Sequence, residues 1–418
     1  MGELTALWQS GLLAPLLVLV VVGVSVGLVA RLRVRRYSRF MLGADKAAEA
    51  ALAAVAGVED LPRFFVLSQR LLWGFTQADL IRVDLDAAAA QLLREFDGFF
   101  VAHLVVAFIQ RSRGENVAAN RALARACELA PPGHPLAYLL PTQAEWAGDD
   151  PEVTLEEVVP GRIWRHACYY GHGGSPLHEI GYATIVRRRD GGLVIYNPVA
   201  MSPAIRAAIA ALGEVTHLVI GVKFHNMFIA EAQAAFPGAK TFGVPGHATN
   251  PPSRDLHFDG FIRAGAPLFP GEIDEIVVAG HQFEEVVMID RPTRTAIIFD
   301  FVMSNLRGAP EHPFWVRIYT FCWGIDDRVA MPAYQVIMWT NFLAVRRGVR
   351  ALLAADVERA LAAHVPTQAM ADDCAGRLRE AFGWVDEIGL LGHLVFMRDF
   401  FVAQPSFLRD FVRYLLRR

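Results

Sequence analysis

Cysteine is scarce and unpatterned. Cys127, Cys168, Cys322 and Cys374 stand far apart with no CxxC pair, so neither a zinc ribbon nor a disulfide framework organises the chain, and a reducing compartment suits it. A basic excess is missing as well. Lys+Arg number 40 against 43 Asp+Glu, a formal net charge of −3, which argues against a nucleic-acid ligand because neutralising phosphates needs surplus cations. No GxSxG elbow stands at a strand-to-helix turn, the one match, Gly23 to Gly27, lying inside an uncharged apolar run, and there is no Walker loop and no GxGxxG fingerprint. Those motifs display a nucleophile or cradle a phosphate, and their absence disfavours the enzyme classes built on them. Low-complexity tracts are lacking too.

What abounds is apolar sequence, 54% of 418 residues, enough for two or three folded units. Residues 11–30 read GLLAPLLVLVVVGVSVGLVA without a charge. A helix of about 20 residues crosses the ~30 Å hydrocarbon core, so this run is expected to be a transmembrane helix. Before it the only charged side chain is Glu3; after it come Arg31, Arg33, Arg35, Arg36 and Arg39. The positive-inside rule then places residues 1–10 outside and the rest on the cytoplasmic side of the cell inner membrane. A cleaved signal peptide would need the opposite charge arrangement.

After the basic juxtamembrane stretch 31–40, residues 41–150 are rich in Ala, Leu, Arg and Glu at helical spacing and predict an α-helical subdomain. One helix should follow Gly114 and stop before Pro131-Pro132-Gly133. From 151 to 390 strands alternate with helices, implying a layered α/β fold. Asp190-Gly191-Gly192 reads as a hairpin turn. Ser202-Pro203 reads as an N-cap and first helical position. Buried strands are expected at 217–222, 275–280, 285–290 and 295–302. The aromatic region 313–345 contains no uncharged run long enough to span a bilayer. Residues 391–418, with Arg398, Arg409, Arg413, Arg417 and Arg418 among Phe and Leu, read as a basic amphipathic helix suited either to an anionic membrane surface or to packing on the domain.

Four stretches carry a family resemblance: THLVIGVKFHNMFIAEAQAAFPGAK (216–240), VVAGHQFEEVVMID (277–290), RPTRTAIIFDFV (291–302) and DVERALAAHVPTQAMADDCAGRLREAFGWV (356–385). Their order resembles that of the metallo-β-lactamase fold, in a divergent branch with a degraded metal-ligand motif. The resemblance implies an αββα sandwich with metal ligands at strand ends. The family's His-x-His-x-Asp-His motif falls on Lys223 to Phe228, where only His225 keeps a ligand. Lys223, Met227 and Phe228 cannot replace the lost donors, so a second metal position is not expected.

His281, Asp300 and His364 match the family's later ligand positions. The resemblance thus implies one zinc or iron ion on His225, His281 and Asp300, with His364 as a fourth ligand or a substrate contact. Glu231, Asp290 and Lys223 are the available stand-ins for the missing acid–base residue. Arg291 and Arg294 read first as hairpin charges, His247 and His257 as loop residues. Two functions follow: a membrane-anchored, mononuclear hydrolase of an ester, lactone or phosphoester, or a metal-free pseudoenzyme serving as a binding or scaffold subunit of a membrane complex.

Overall fold

Strand after strand in the second half places apolar residues on both faces, as a sheet covered on both sides requires. Seven strands form one sheet in sequential order: β1 (Leu155–Val159), β2 (Ile163–Gly171), β3 (His178–Arg187), β4 (Leu193–Tyr196), β5 (Val215–Val219), β6 (Lys240–Gly243) and β7 (Gly260–Phe261). The first four pair antiparallel and the rest parallel. Beyond them come β8 (Ile273–Val277), β9 (Val286–Asp290), β10 (Thr295–Ile298), β11 (Met303–Asn305), β12 (Arg328–Ala330) and β13 (Arg359–Ala362). A four-stranded sheet runs in the order β13-β10-β9-β8, with β10 and β13 parallel. Strands β11 and β12 make a separate ribbon.

Period-2 alternation sorts the core. Val194 and Tyr196 of β4, with Val186 and Val219, share one buried cluster with Met288, Ile297 and Leu361, which lie on a single face of the smaller sheet. The intervening residues Ile185, Leu193, Ile195 and Leu218 face outward onto Ile205, Ile209 and Ala232, from helices Pro203–Leu212 and Ile229–Ala235. Val345, Val349 and Leu378, from helices Phe342–Ala354 and Cys374–Phe382, cover the other side. The layers are α, β, β, α, as expected. Several local signals hold. Ser202 accepts from the Ile205 N–H, and Asp190 Oδ1 accepts from Gly192 N–H at the β3–β4 turn, where Gly191 has φ +89°.

The helical layer comprises Leu61–Thr76, Leu85–Phe96, Phe100–Ser112 and Asn116–Leu129. Its core also takes in helix Phe314–Cys322 from the aromatic region. Trp315 stacks on Phe108 with ring centroids 3.8 Å apart, and Gln69 donates to the Cys322 carbonyl. The sequence of 313–345 therefore serves a buried helix that ties the helical layer to the sandwich.

The computed structural model describes residues 53–76, 83–148, 155–171, 178–250, 252–306, 312–331, 335–336, 338–370 and 373–403. The expected transmembrane helix 11–30, the basic stretch 31–40 and the tail 404–418 lie outside these. Among the described residues no helix is long and apolar enough to cross a membrane.

Candidate metal centre

Four strands deliver the site from their C-terminal ends, where an α/β layer commonly opens a crevice. Asn197 follows β4, His225 stands in the loop after β5, Asp300 follows β10, and His364 follows β13. The β5 loop and the Asp300 turn are locked together by Gly221. A Cβ there would sit 2.2 Å from the buried ring of Phe299, so only glycine lets that ring seat.

His225, Asp300 and His364 converge, each offering one ligand atom, all within 4.8 Å of one another. His225 Nε2 is 2.6 Å and His364 Nε2 3.3 Å from Asp300 Oδ1, and the two Nε2 atoms are 3.2 Å apart. Four ligands set tetrahedrally around zinc at 2.0–2.1 Å have edges of about 3.3 Å. Two of the three edges match, and the third is shorter.

The tautomers follow from the outer partners. Asn197 Nδ2 donates to the Tyr182 carbonyl, so its Oδ1 faces His225 Nδ1 at 2.5 Å as an acceptor. His364 Nδ1 lies 2.8 Å from the Ile180 carbonyl. Both Nδ1 atoms therefore carry the proton, and both Nε2 atoms of the neutral rings turn lone pairs toward a carboxylate. Asp300 Oδ1 is buried and receives no aligned hydrogen bond. Three lone-pair donors facing one another repel unless a cation stands between them. This is the arrangement in which outer partners fix metal-binding histidines, and the residues fit a single zinc or iron ion.

With no ion between them, protonation is the other way to relieve this repulsion: burial pushes the Asp300 carboxyl up, but His225 and His364, where their Nε2 atoms carry protons, outweigh it by charge and hydrogen bonding and hold it well below the ordinary carboxylate range. The turn itself hangs on Glu285, fully buried, whose carboxyl oxygens accept from the Phe299 and Asp300 N–H groups at 2.7 and 3.1 Å. Burial, with Asp300 nearby, pushes Glu285 well up. Gln335 Nε2 donates to the Asp300 carbonyl.

His281 stands outside the trio. It is buried, and its Nδ1 accepts from the Phe283 N–H at 3.1 Å. The proton of the neutral ring must then sit on Nε2, which has no hydrogen-bond partner, so this tautomer offers an N–H rather than a ligand lone pair. Burial lowers its pKa to about 3, so the ring stays neutral. His247 behaves alike, buried with Nδ1 accepting from Val244 N–H, whereas His257 is an exposed residue beside Asp259.

The acid–base stand-ins sit elsewhere or are enclosed. Asp290 pairs with Arg162, Glu231 accepts from Met201 N–H at 3.5 Å, and Lys223 is buried. Phe228 packs edge-on against Tyr170, and Met227 is exposed. Arg291 pairs with Asp274 and Arg294 with Asp356 and Glu358, which makes them hairpin charges.

Asn197 and Glu285 went unnoticed in the sequence. Their signals are an Asn-Pro pair closing a buried strand and the second of two glutamates just before the apolar run Val286 to Ile289.

A family model described as "Domain of unknown function (DUF4336)" matches residues 182–314. No curated protein matches the chain. Solved structures similar to it include a metallo-β-lactamase from Pontibacter korlensis, 9% identical with TM-score 0.38, over 56% of this chain and 99% of that one. Another is a metallo-β-lactamase from Hirschia baltica, 11% identical with TM-score 0.38, over 58% and 98%. A third is the metallo-β-lactamase FIM-1 from Pseudomonas aeruginosa in its mono-zinc form, 11% identical with TM-score 0.37, over 59% and 98%.

Proposed function

We propose that this protein is a mononuclear metal-dependent hydrolase of an ester, lactone or phosphoester, anchored in the cell inner membrane by residues 11–30 with its bulk in the cytoplasm. One observation carries the chemistry: two imidazole lone pairs and a carboxylate converge while both Nδ1 protons are already engaged by Asn197 and the Ile180 carbonyl. His225, Asp300 and His364 would hold the ion. Bound there, zinc or iron would supply Lewis acidity for polarising a substrate oxygen and activating water. The chain's own contribution is to fix two ring orientations, to keep Asp300 ionised, and to set the buried Phe299 ring against His225. The anchor rests on the uncharged run and the arginines that follow it.

The close His225–Asp300 approach also favours a second reading, a metal-free pair in which a protonated imidazole bonds the carboxylate in a scaffold subunit of a membrane complex. Elemental analysis separates the two. The full chain, purified in detergent without chelator or nickel, should carry near-stoichiometric zinc or iron, lost in His364→Ala and Asp300→Asn and kept in His281→Ala. Absence of metal in the parent, even after soaking with zinc or iron, sinks the hydrolase reading and leaves the scaffold.

A further inference from the structure

A buried arginine stands behind the candidate metal centre. Arg165, in β2, is 1% exposed, and its guanidinium lies over the Tyr182 ring at 3.8 Å. Burying a permanent charge is unfavourable unless its hydrogen bonds are met. Here they go to one turn. Nη2 donates to the Ala362 carbonyl at 2.6 Å, and Nη1 donates to the Val365 carbonyl and to Thr367 Oγ1 at 3.0 Å each. Thr367 in turn donates to Glu156 at 2.9 Å. Ala362 ends β13, and His364 stands in sequence between the two carbonyls that the guanidinium holds.

The same turn is tied to β10 and β3. Ala363 N–H donates to the Ile298 carbonyl at 3.1 Å, Tyr182 N–H donates to the Ala363 carbonyl at 2.9 Å, and Val365 N–H closes back on the Ala362 carbonyl at 3.2 Å. Strand β3 also supports the other imidazole. Its Ile180 carbonyl takes the His364 Nδ1 proton, and its Tyr182 carbonyl holds Asn197, which faces His225. In the pairing of β2 with β3, Arg165 stands opposite Thr184 and Ala167 opposite Tyr182. The arginine therefore reaches its ring diagonally, a contact open to long side chains. Arg165 thus joins the strand that orients both rings to the turn that carries one of them.

Residue type matters at this position. A guanidinium is planar, always charged and forked, so it can lie on a ring and grip two carbonyls at once, whereas a lysine ammonium is a point charge on a flexible stem. An apolar side chain of similar volume would fill the space and leave both carbonyls without this donor.

We infer that Arg165 is a positioning residue for His364: by clamping turn 362–365 over the Tyr182 ring, it keeps the His364 Nε2 lone pair toward Asp300 and sets the separation of the two imidazoles. Its effect on metal affinity rests on reading the trio as a metal centre; the orientation of the ring does not.

The test uses the full chain in detergent, as the parent, as Arg165→Lys, and as Ile209→Ala. The last is a reference for lost packing, since Ile209 is buried under a helix on the outer face of the larger sheet. In metal-free samples, diethyl pyrocarbonate acylates the unprotonated nitrogen of accessible imidazoles, and peptide mass mapping gives a rate for each histidine. His364, His281 and His247 are 6%, 4% and 0% exposed, so all three start slow. Arg165→Lys should speed acylation of His364 several-fold while His281 and His247 keep the parent's rates, and Ile209→Ala should change none of the three. Zinc competition against a chromophoric chelator should show affinity about 10- to 100-fold lower in Arg165→Lys, the loss typical of removing groups that orient metal-binding histidines, and unchanged in Ile209→Ala. Should Arg165→Lys fail to fold, Thr367→Val removes one of the guanidinium's partners and should give the same pattern more weakly. Acylation of His364 at the parent's rate overturns the clamp. Rates that rise together at all three histidines overturn it as well, because they make Arg165 a residue of general stability. A parent that takes up no zinc sinks the hydrolase reading and leaves the acylation result valid; a parent that binds zinc, with His364 indifferent to Arg165→Lys, sinks the clamp alone.

Discussion

Asn197→Ala is the sharpest probe of the candidate centre, because Asn197 touches a proposed ligand but is not one. Its Oδ1 accepts from His225 Nδ1, its Nδ2 donates to the Tyr182 carbonyl, and its backbone sits at φ 53°. Removing an outer partner of a metal-ligating histidine lowers metal affinity by about 10- to 100-fold, or roughly 1.4–2.8 kcal/mol. Alanine also strands a buried carbonyl, costing about 1–3 kcal/mol of stability, and left-handed backbone adds about 1–2 kcal/mol for a residue with a Cβ. Two effects are therefore expected, and Asn197→Asp separates them. Aspartate keeps the acceptor for His225 and tolerates the left-handed region, but cannot donate to Tyr182. It should restore zinc affinity while leaving the melting temperature lowered. Zinc competition against a chromophoric chelator reads the first effect, and thermal unfolding of the metal-free chain the second. If Asn197→Ala binds zinc as tightly as the parent while its melting temperature falls, Asn197 only props up the strand end, and the tautomer argument for a metal is wrong.

Three further outcomes follow from packing and burial. Gly221→Ala would drive a Cβ into the Phe299 ring and should cost about 1–3 kcal/mol or more by overpacking; urea unfolding within 0.5 kcal/mol of the parent would mean the turn adjusts freely. Trp315→Ala should lose about 3–5 kcal/mol, since the ring is buried and stacked on Phe108; a loss confined to the helical layer, seen as a separate early transition, would show that this layer unfolds independently. Burial pushes His393 down to about 4. The unfolded chain then binds a proton the folded one refuses, so stability is full above about pH 6.5 and falls as pH drops toward 4, by at most roughly 3 kcal/mol. His393→Phe keeps the stacking on Trp339 and Phe342 and should make that slope shallower in urea midpoints measured between pH 4.5 and 7, the remainder staying with His247, His281 and His312, which burial also pushes down to about 4, 3 and 3; a slope identical to the parent's overturns the His393 assignment.

Which parts of this molecule its sequence discloses depends on how far each determinant lies along the chain. Ser202-Pro203 and Asp190-Gly191-Gly192 are local devices, whose hydrogen bonds close within three residues, and they read correctly. The apolar strands read correctly because a sheet covered on both faces needs little pattern beyond continuous hydrophobicity. The trio His225, Asp300 and His364 could be approached only through resemblance, since His225 and His364 are separated by 139 positions and nothing local announces their meeting. What makes them ligand-like lies further off still: His364 owes its tautomer to a carbonyl 184 residues away. His281 shows the converse. Its Gly-His setting matches a ligand position, yet a backbone N–H only two residues on takes its Nδ1 lone pair, a contact that depends on the turn's conformation and not on residue type. The identity of a histidine is written in the sequence, but which of its nitrogens is available is settled by the fold. A ligand set read from motif spacing therefore stays open until each ring's second nitrogen has been given a partner.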